Sequence, residues 1–110
     1  MIRRVMRSEA AVEDLLAIVD DRITSVGLDA AIAIEGRLDA AIESLAELSS
    51  RGRVVPELRD RGVTLYRELV ALPHRIMYRI EPREVWVVAV LDHRRDLEAI
   101  LHERARRDRG

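Results

Sequence analysis

The chain of 110 residues contains no cysteine, which removes disulfides and thiolate metal sites from consideration. Lysine, asparagine, glutamine and phenylalanine are also absent. Every one of the 19 Lys/Arg cations is therefore an arginine. Arginine stays charged and offers a planar fork of donors to carboxylate or phosphate. No apolar run approaches the ~20 residues needed to cross a bilayer, so no membrane span is expected. The opening segment MIRRVMRSEAAVEDLL has no uninterrupted apolar stretch and does not read as a signal peptide. The expected location is the cytoplasm. Net charge is low, at −1; a generic nucleic-acid binder would be far more basic.

Apolar residues make up 48% of the chain and charged residues 35%, the balance of a soluble globular protein rather than a disordered one. The length suits one domain, residues 1–110, burying roughly 60–70% of the surface its unfolded chain exposes. The charge is unevenly spread. Residues 1–50 carry 5 arginines against 10 acids, and residues 51–110 carry 14 against 10. An anionic or acidic partner would dock on the second half.

Met1–Arg7 reads as a short first strand. Ser8 is suited to an N-cap and Glu9 to a first helical turn. Val12, Leu15, Leu16, Val19, Ile23 and Val26 then recur at helical spacing, and Gly27 suits the C-terminal cap. A second helix begins near Asp29, with Ile34, Leu38, Ala41, Ile42, Leu45 and Leu48 on one stripe, and ends in Ser49–Gly52. Two amphipathic helices joined so closely form an antiparallel hairpin. Each needs a surface to cover, and a sheet that follows would supply it. Residues 51–62 read as a loop punctuated by Pro56 and Gly62. Strands follow over residues 64–70, 74–81 and 84–92, separated by Leu72-Pro73 and Glu81-Pro82-Arg83. Val85–Leu91 is almost wholly apolar and reads as the central strand. Asp96 could cap a last helix with Leu97, Ile100, Leu101 and Ala105 inward. The expected fold is α+β: an N-terminal helix hairpin on a small antiparallel sheet, in the order β-α-α-β-β-β-α.

Gly52–Leu58 (GRVVPEL), Tyr66–Leu69 (YREL), His74–Arg79 (HRIMYR) and Leu91–Asp96 (LDHRRD), in this element order, resemble the RelE/ParE superfamily of type II toxin–antitoxin toxins. The resemblance covers nearly the whole chain. It implies a small bacterial toxin neutralised by a cognate antitoxin that wraps it in a toxin–antitoxin hetero-oligomer, with no cofactor. An antitoxin helix or strand would fill an apolar groove or an edge strand. RelE-like members cleave mRNA on the ribosome; ParE-like members poison DNA gyrase.

The RelE-like machinery uses basic residues on adjacent strands and a tyrosine in the last helix. Carried over by position, Arg67, Arg75 and Arg95 match three of those basic residues. A lysine position falls on Leu69 and the tyrosine position falls near Leu101, neither of which can act. Arginine clamps phosphate well but exchanges protons poorly, because its pKa is above 12. His74, His93 and Glu68 are the nearest replacements. That departure favours the ParE-like branch. There, Arg79, Arg94, Arg104 and Arg107 become candidate docking residues.

Each candidate also has a plainer structural reading. His93 suits a solvated turn and His74 a surface position. Arg67, Arg75 and Arg79 could pair with Glu68, Glu81 and Glu84 across strands. Tyr66, Tyr78 and Trp86 read as packing residues. The three histidines lack metal-site spacing, so no metal is expected.

Overall fold

A computed structural model describes residues 2–92, 99, 100, 102–104 and 106. Strand β1 (Arg4–Arg7) leads into helix α1 (Glu9–Val26) and helix α2 (Leu28–Glu43). Two 3-10 turns, Ser44–Ala46 and Ser49–Arg51, precede β2 (Arg53–Val54) and α3 (Pro56–Arg59). Then come β3 (Tyr66–Ala71), β4 (His74–Ile80) and β5 (Glu84–Asp92). Residues 99, 100, 102–104 and 106 are helical. The expected cap at Asp96 and the inward Leu97, Leu101 and Ala105 lie outside the described residues.

The Ser8 hydroxyl accepts the Ala11 N–H at 3.1 Å and caps α1. The Ser8 N–H donates to the Val87 carbonyl at 2.9 Å, so the helix start is fastened to β5. Gly27 alone separates α1 from α2. Its φ of 99° belongs to glycine. Its N–H donates to the carbonyls of Arg22 and Ile23 and its own carbonyl accepts from Ala31, so one residue closes one helix and opens the next.

The sheet has five strands in the order β1-β5-β4-β3-β2. β2, β3, β4 and β5 pair antiparallel, but β1 runs parallel to β5. The expected all-antiparallel sheet is therefore a mixed one. The hairpin carries the chain from β1 across one face to the far edge, and the meander returns it beside β1 in the same direction. A crossover of that length is what parallel pairing requires. β5, expected as the central strand, is interior but second from the edge, because β1 adds outside it; β4 occupies the middle position.

Between Met77↔Ala89 and Tyr78↔Val87 the register shifts, leaving Val88 as an extra residue in β5. This bulge swaps the strand's faces. Val85 and Val87 point to the helices before it and Val90 after it. The hairpin face of the core joins Ala11, Leu15, Leu38, Ile42 and Leu45 to Leu69, Ile76 and Tyr78. The opposite face holds Val55, Met77, Val88, Ala89 and Leu91, with Leu58, Tyr66, Trp86 and Ile100 half-buried against them. The segment read as a loop, residues 51–62, supplies β2 and α3, which edge and cover that second face.

One helical stripe differs from expectation. α1 buries Ala11 and Leu15 against the sheet, whereas Val12, Leu16, Ile23 and Val26 face outward. Leu48 is also exposed, because α2 gives way to 3-10 turns at Ser44 and the changed pitch takes it off the stripe.

Tyr78 fixes the approach to β2. Its hydroxyl donates to the Ser49 carbonyl and accepts the Gly52 N–H, both at 2.8 Å. A Cβ on Gly52 would collide with the Glu68 carbonyl and the Tyr78 hydroxyl, so only glycine fits there. Tyr78→Phe leaves a buried donor and acceptor unpaired, at a cost of about 1–3 kcal/mol. Urea denaturation should show that loss, with a larger one for Gly52→Ala.

Candidate functional site

The sheet face opposite the hairpin carries a buried ionic network. Glu68 on β3 is 1% exposed. Arg53, its register partner on β2, donates from Nε to Glu68 Oε2 at 2.8 Å. Arg75, diagonally across on β4, donates from Nε to Glu68 Oε1 at 2.6 Å. The Arg75 fork then turns outward, its two terminal nitrogens gripping both oxygens of Glu57 at 2.6 and 2.8 Å. Pro56 opens α3 with its fixed φ and sets Glu57 in the first turn, where a carboxylate is favoured. Two carboxylates and two guanidinium groups thus join β2, α3, β3 and β4 with no net charge.

Within this network Glu57 and Arg75 hold each other in the ionised form. The hydrogen bond from Arg75 is the main cause that lowers the Glu57 carboxyl below its ordinary value of 4.5. The same bond, against the opposing effect of burial, raises Arg75 further. Burial raises the Tyr78 hydroxyl above 10.0. These three groups all move away from neutrality, which does not suit proton transfer.

Side chains alternate along a strand. Arg67, paired with Tyr78, therefore lies on the hairpin face, and Arg75 lies on the opposite face. Arg67 donates to the Gly52 carbonyl at 2.9 Å. The two arginines do not converge on one point. His74 begins β4, buried, beside the strand position of Asp92. Arg79 donates from Nε to Glu81 at 2.8 Å and lies 5.7 Å from the Trp86 ring centroid. Arg104 grips both Asp14 oxygens and donates to the Val88 carbonyl. Asp14 in turn accepts the Val90 N–H at 2.9 Å, capping the part of β5 that runs on past β1. His93, Arg94, Arg95 and Arg107 lie outside the described residues. Among the described residues no group of three or more acids and histidines could hold a metal ion, and no helix is long and apolar enough to cross a membrane.

The outward stripe of α1 forms a second feature. Val12, Leu16 and Val19 line a groove of about 190 Å³ with Glu35 and Asp39 of α2, and Arg7 closes one end. Leu16 is 62% exposed and Ile32, on the neighbouring helix, 59%. The helical spacing made this stripe visible. Its direction was not visible, because Ala11 and Ile18 also recur at helical spacing and it is these smaller or flanking residues that meet the sheet.

The family model for the ParE toxin of the type II toxin–antitoxin system parDE matches residues 5–97. The chain belongs to this family, and is a type II toxin of the ParE branch. A type II toxin is paired with a protein antitoxin, so its module partner is a protein. A solved structure described as a chromosomal ParDE TA system from P. aeruginosa shares the fold, with a TM-score of 0.72 at 18% identity. The match covers 83% of this chain and 96% of that one. None of the curated proteins matches the chain.

Removing Arg75 would leave the buried Glu68 carboxylate with Arg53 as its one remaining ionic partner among the described residues. Arg75→Ala should cost about 3–5 kcal/mol in chemical denaturation. Because the folded Glu57 pKa lies below the unfolded one, its contribution is present above pH 4.5 and is lost as pH falls through the lower folded value. Glu57→Gln should flatten the acid side of the stability–pH curve.

Proposed function

We propose that this ParE toxin acts by gripping DNA gyrase and stalling it, without cutting nucleic acid itself. The observation that carries this reading is the separation of Arg67 and Arg75. A nuclease would need them together at one phosphate, yet they occupy opposite faces of the sheet and each is engaged within the fold. Membership of the ParE branch supports gyrase as the target over the ribosome. The near-neutral net charge of −1 supports a protein target over bare nucleic acid. The site of action on this reading is the cytoplasm, where gyrase works.

The groove on the outer face of the hairpin is the antitoxin's docking surface. It offers an apolar stripe at helical spacing, with Glu35 and the Arg7-paired Asp39 along one wall. A matching partner is an amphipathic antitoxin helix with basic flanks. The antitoxin and toxin then form a stable hetero-oligomer.

Purified toxin should inhibit gyrase supercoiling while leaving ribosome-programmed mRNA intact. Codon-phased mRNA cuts with unaffected supercoiling would contradict the proposal and indicate RelE-like chemistry. Leu16→Asp and Val12→Asp place charge in the groove at exposed positions, without touching the core. Each should weaken antitoxin binding by about tenfold or more in calorimetric titration. Unchanged affinity in both would remove the groove from the interface.

A further inference from the structure

Tyr66, Arg79, Trp86 and Met6 form one row across β3, β4, β5 and β1, on the face opposite the hairpin. All four are half-buried. At its centre Arg79 is held in one pose. Its guanidinium lies over the Trp86 ring at 5.7 Å, and its Nε donates to Glu81 at 2.8 Å. The Trp86 indole N–H in turn donates to Glu84 at 3.2 Å, which fixes the ring beneath it. Among the described residues neither terminal nitrogen of Arg79 makes a hydrogen bond. The contrast with Arg75 is direct, since both terminal nitrogens of Arg75 are occupied by Glu57. The Arg79 side chain remains 28% exposed. Among the described residues it is thus a braced fork with its bidentate edge open.

We propose that Arg79, seated between Tyr66 and Trp86, is the receptor for a carboxylate side chain on the toxin's protein target. The inference rests on the gyrase reading and specifies the surface that makes the contact. A planar carboxylate matches two parallel N–H donors. A fork already ordered by stacking loses less entropy on binding than a free arginine. Trp, Tyr and Arg are also the residue types that concentrate binding energy at interfaces. Single-stranded nucleic acid would ask for a track of cations along the row. The row instead holds one arginine, with Glu81 and Glu84 beside it. Those two acids would repel the closely spaced charges of a phosphodiester strand more strongly than one carboxylate, which carries a single charge. One fork flanked by acids therefore suits one carboxylate presented by a protein surface, not a polyanion.

The test compares wild type, Arg79→Ala and Arg79→Lys, with Arg83→Ala as a control in the exposed β4–β5 turn. Three readouts are needed: gyrase supercoiling, affinity for the antitoxin, and binding to a fluorescent single-stranded oligonucleotide. Arg79→Ala should raise the concentration for half-inhibition by about tenfold or more. Arg79→Lys should stay impaired, because it keeps the charge and loses the fork. Antitoxin affinity, oligonucleotide binding and the Arg83→Ala variant should match wild type. Wild-type inhibition by Arg79→Ala would overturn the proposal. An equal loss in Arg83→Ala would also overturn it, by reducing the effect to bulk charge. A parallel loss of antitoxin affinity would assign the row to the antitoxin, and loss of oligonucleotide binding would assign it to nucleic acid. Growth arrest on expression separates this inference from the gyrase reading. If wild type arrests growth without inhibiting gyrase, that reading fails, and escape of Arg79→Ala from arrest still supports the receptor. Unchanged arrest would sink it.

Discussion

A carboxylate with no solvent access sits in the third strand, and much of the second half of the chain is arranged to pair its two oxygens. Glu68 can be buried only because Arg53 and Arg75 donate to its two oxygens from strands on either side. Arg75 reaches it from β4 and spends its remaining donors on Glu57, which pins α3 over the sheet. The short β2 strand is held from both faces: Arg53 on one, and on the other Tyr78 and Arg67, which bond to Gly52 next to it. Without this network α3 has four residues and no buried side chain to hold it. The apolar surface beneath it, including Met77 and Val55, would lose its cover.

The same chemistry explains why an arginine-rich sheet need not be a nuclease. An arginine clamp works on a phosphate when its fork is open and a proton carrier stands nearby. Arg75 is closed by two acids, Arg67 is turned to the other face, and the groups whose pKa values move do so away from neutrality. Arg79 differs from both. Trp86 and Glu81 hold it in place, and among the described residues its outer edge is open. The two faces of the domain consequently present different surfaces. The hairpin offers an apolar groove walled by acids, suited to a helix. The opposite face offers a cation framed by aromatic rings, suited to an acidic contact.

Much of the fold was legible because its signals are local. Ser8, Gly27, the Leu72-Pro73 turn and the alternating runs placed α1, α2 and the last three strands to within a few residues. The parallel placement of β1 was not legible, because it depends on where the chain returns after the hairpin. β2 and α3 were hidden by their length: two and four residues are too short for a period to show. α1 has apolar residues on two stripes, and the sequence does not say which one meets the sheet. The site was harder to read. Glu68 could be named as a cross-strand partner of Arg75, but an exposed pair and a buried network look the same in sequence. What separates them is the cover supplied by α3, an element that the sequence reading did not include.

If toxicity comes from binding, Arg75 is architecture and the toxin can do without its charge. The most direct check replaces the buried pair together, as Glu68→Leu with Arg75→Met, leaving Arg53 and Glu57 to solvent. Apolar replacement of a whole buried ion pair is often neutral for stability. The measurement is growth arrest by this double variant, after circular dichroism has shown it folded. The account predicts arrest comparable to wild type. A folded double variant that no longer arrests growth would contradict it, and would return Arg75 to the chemistry of the toxin.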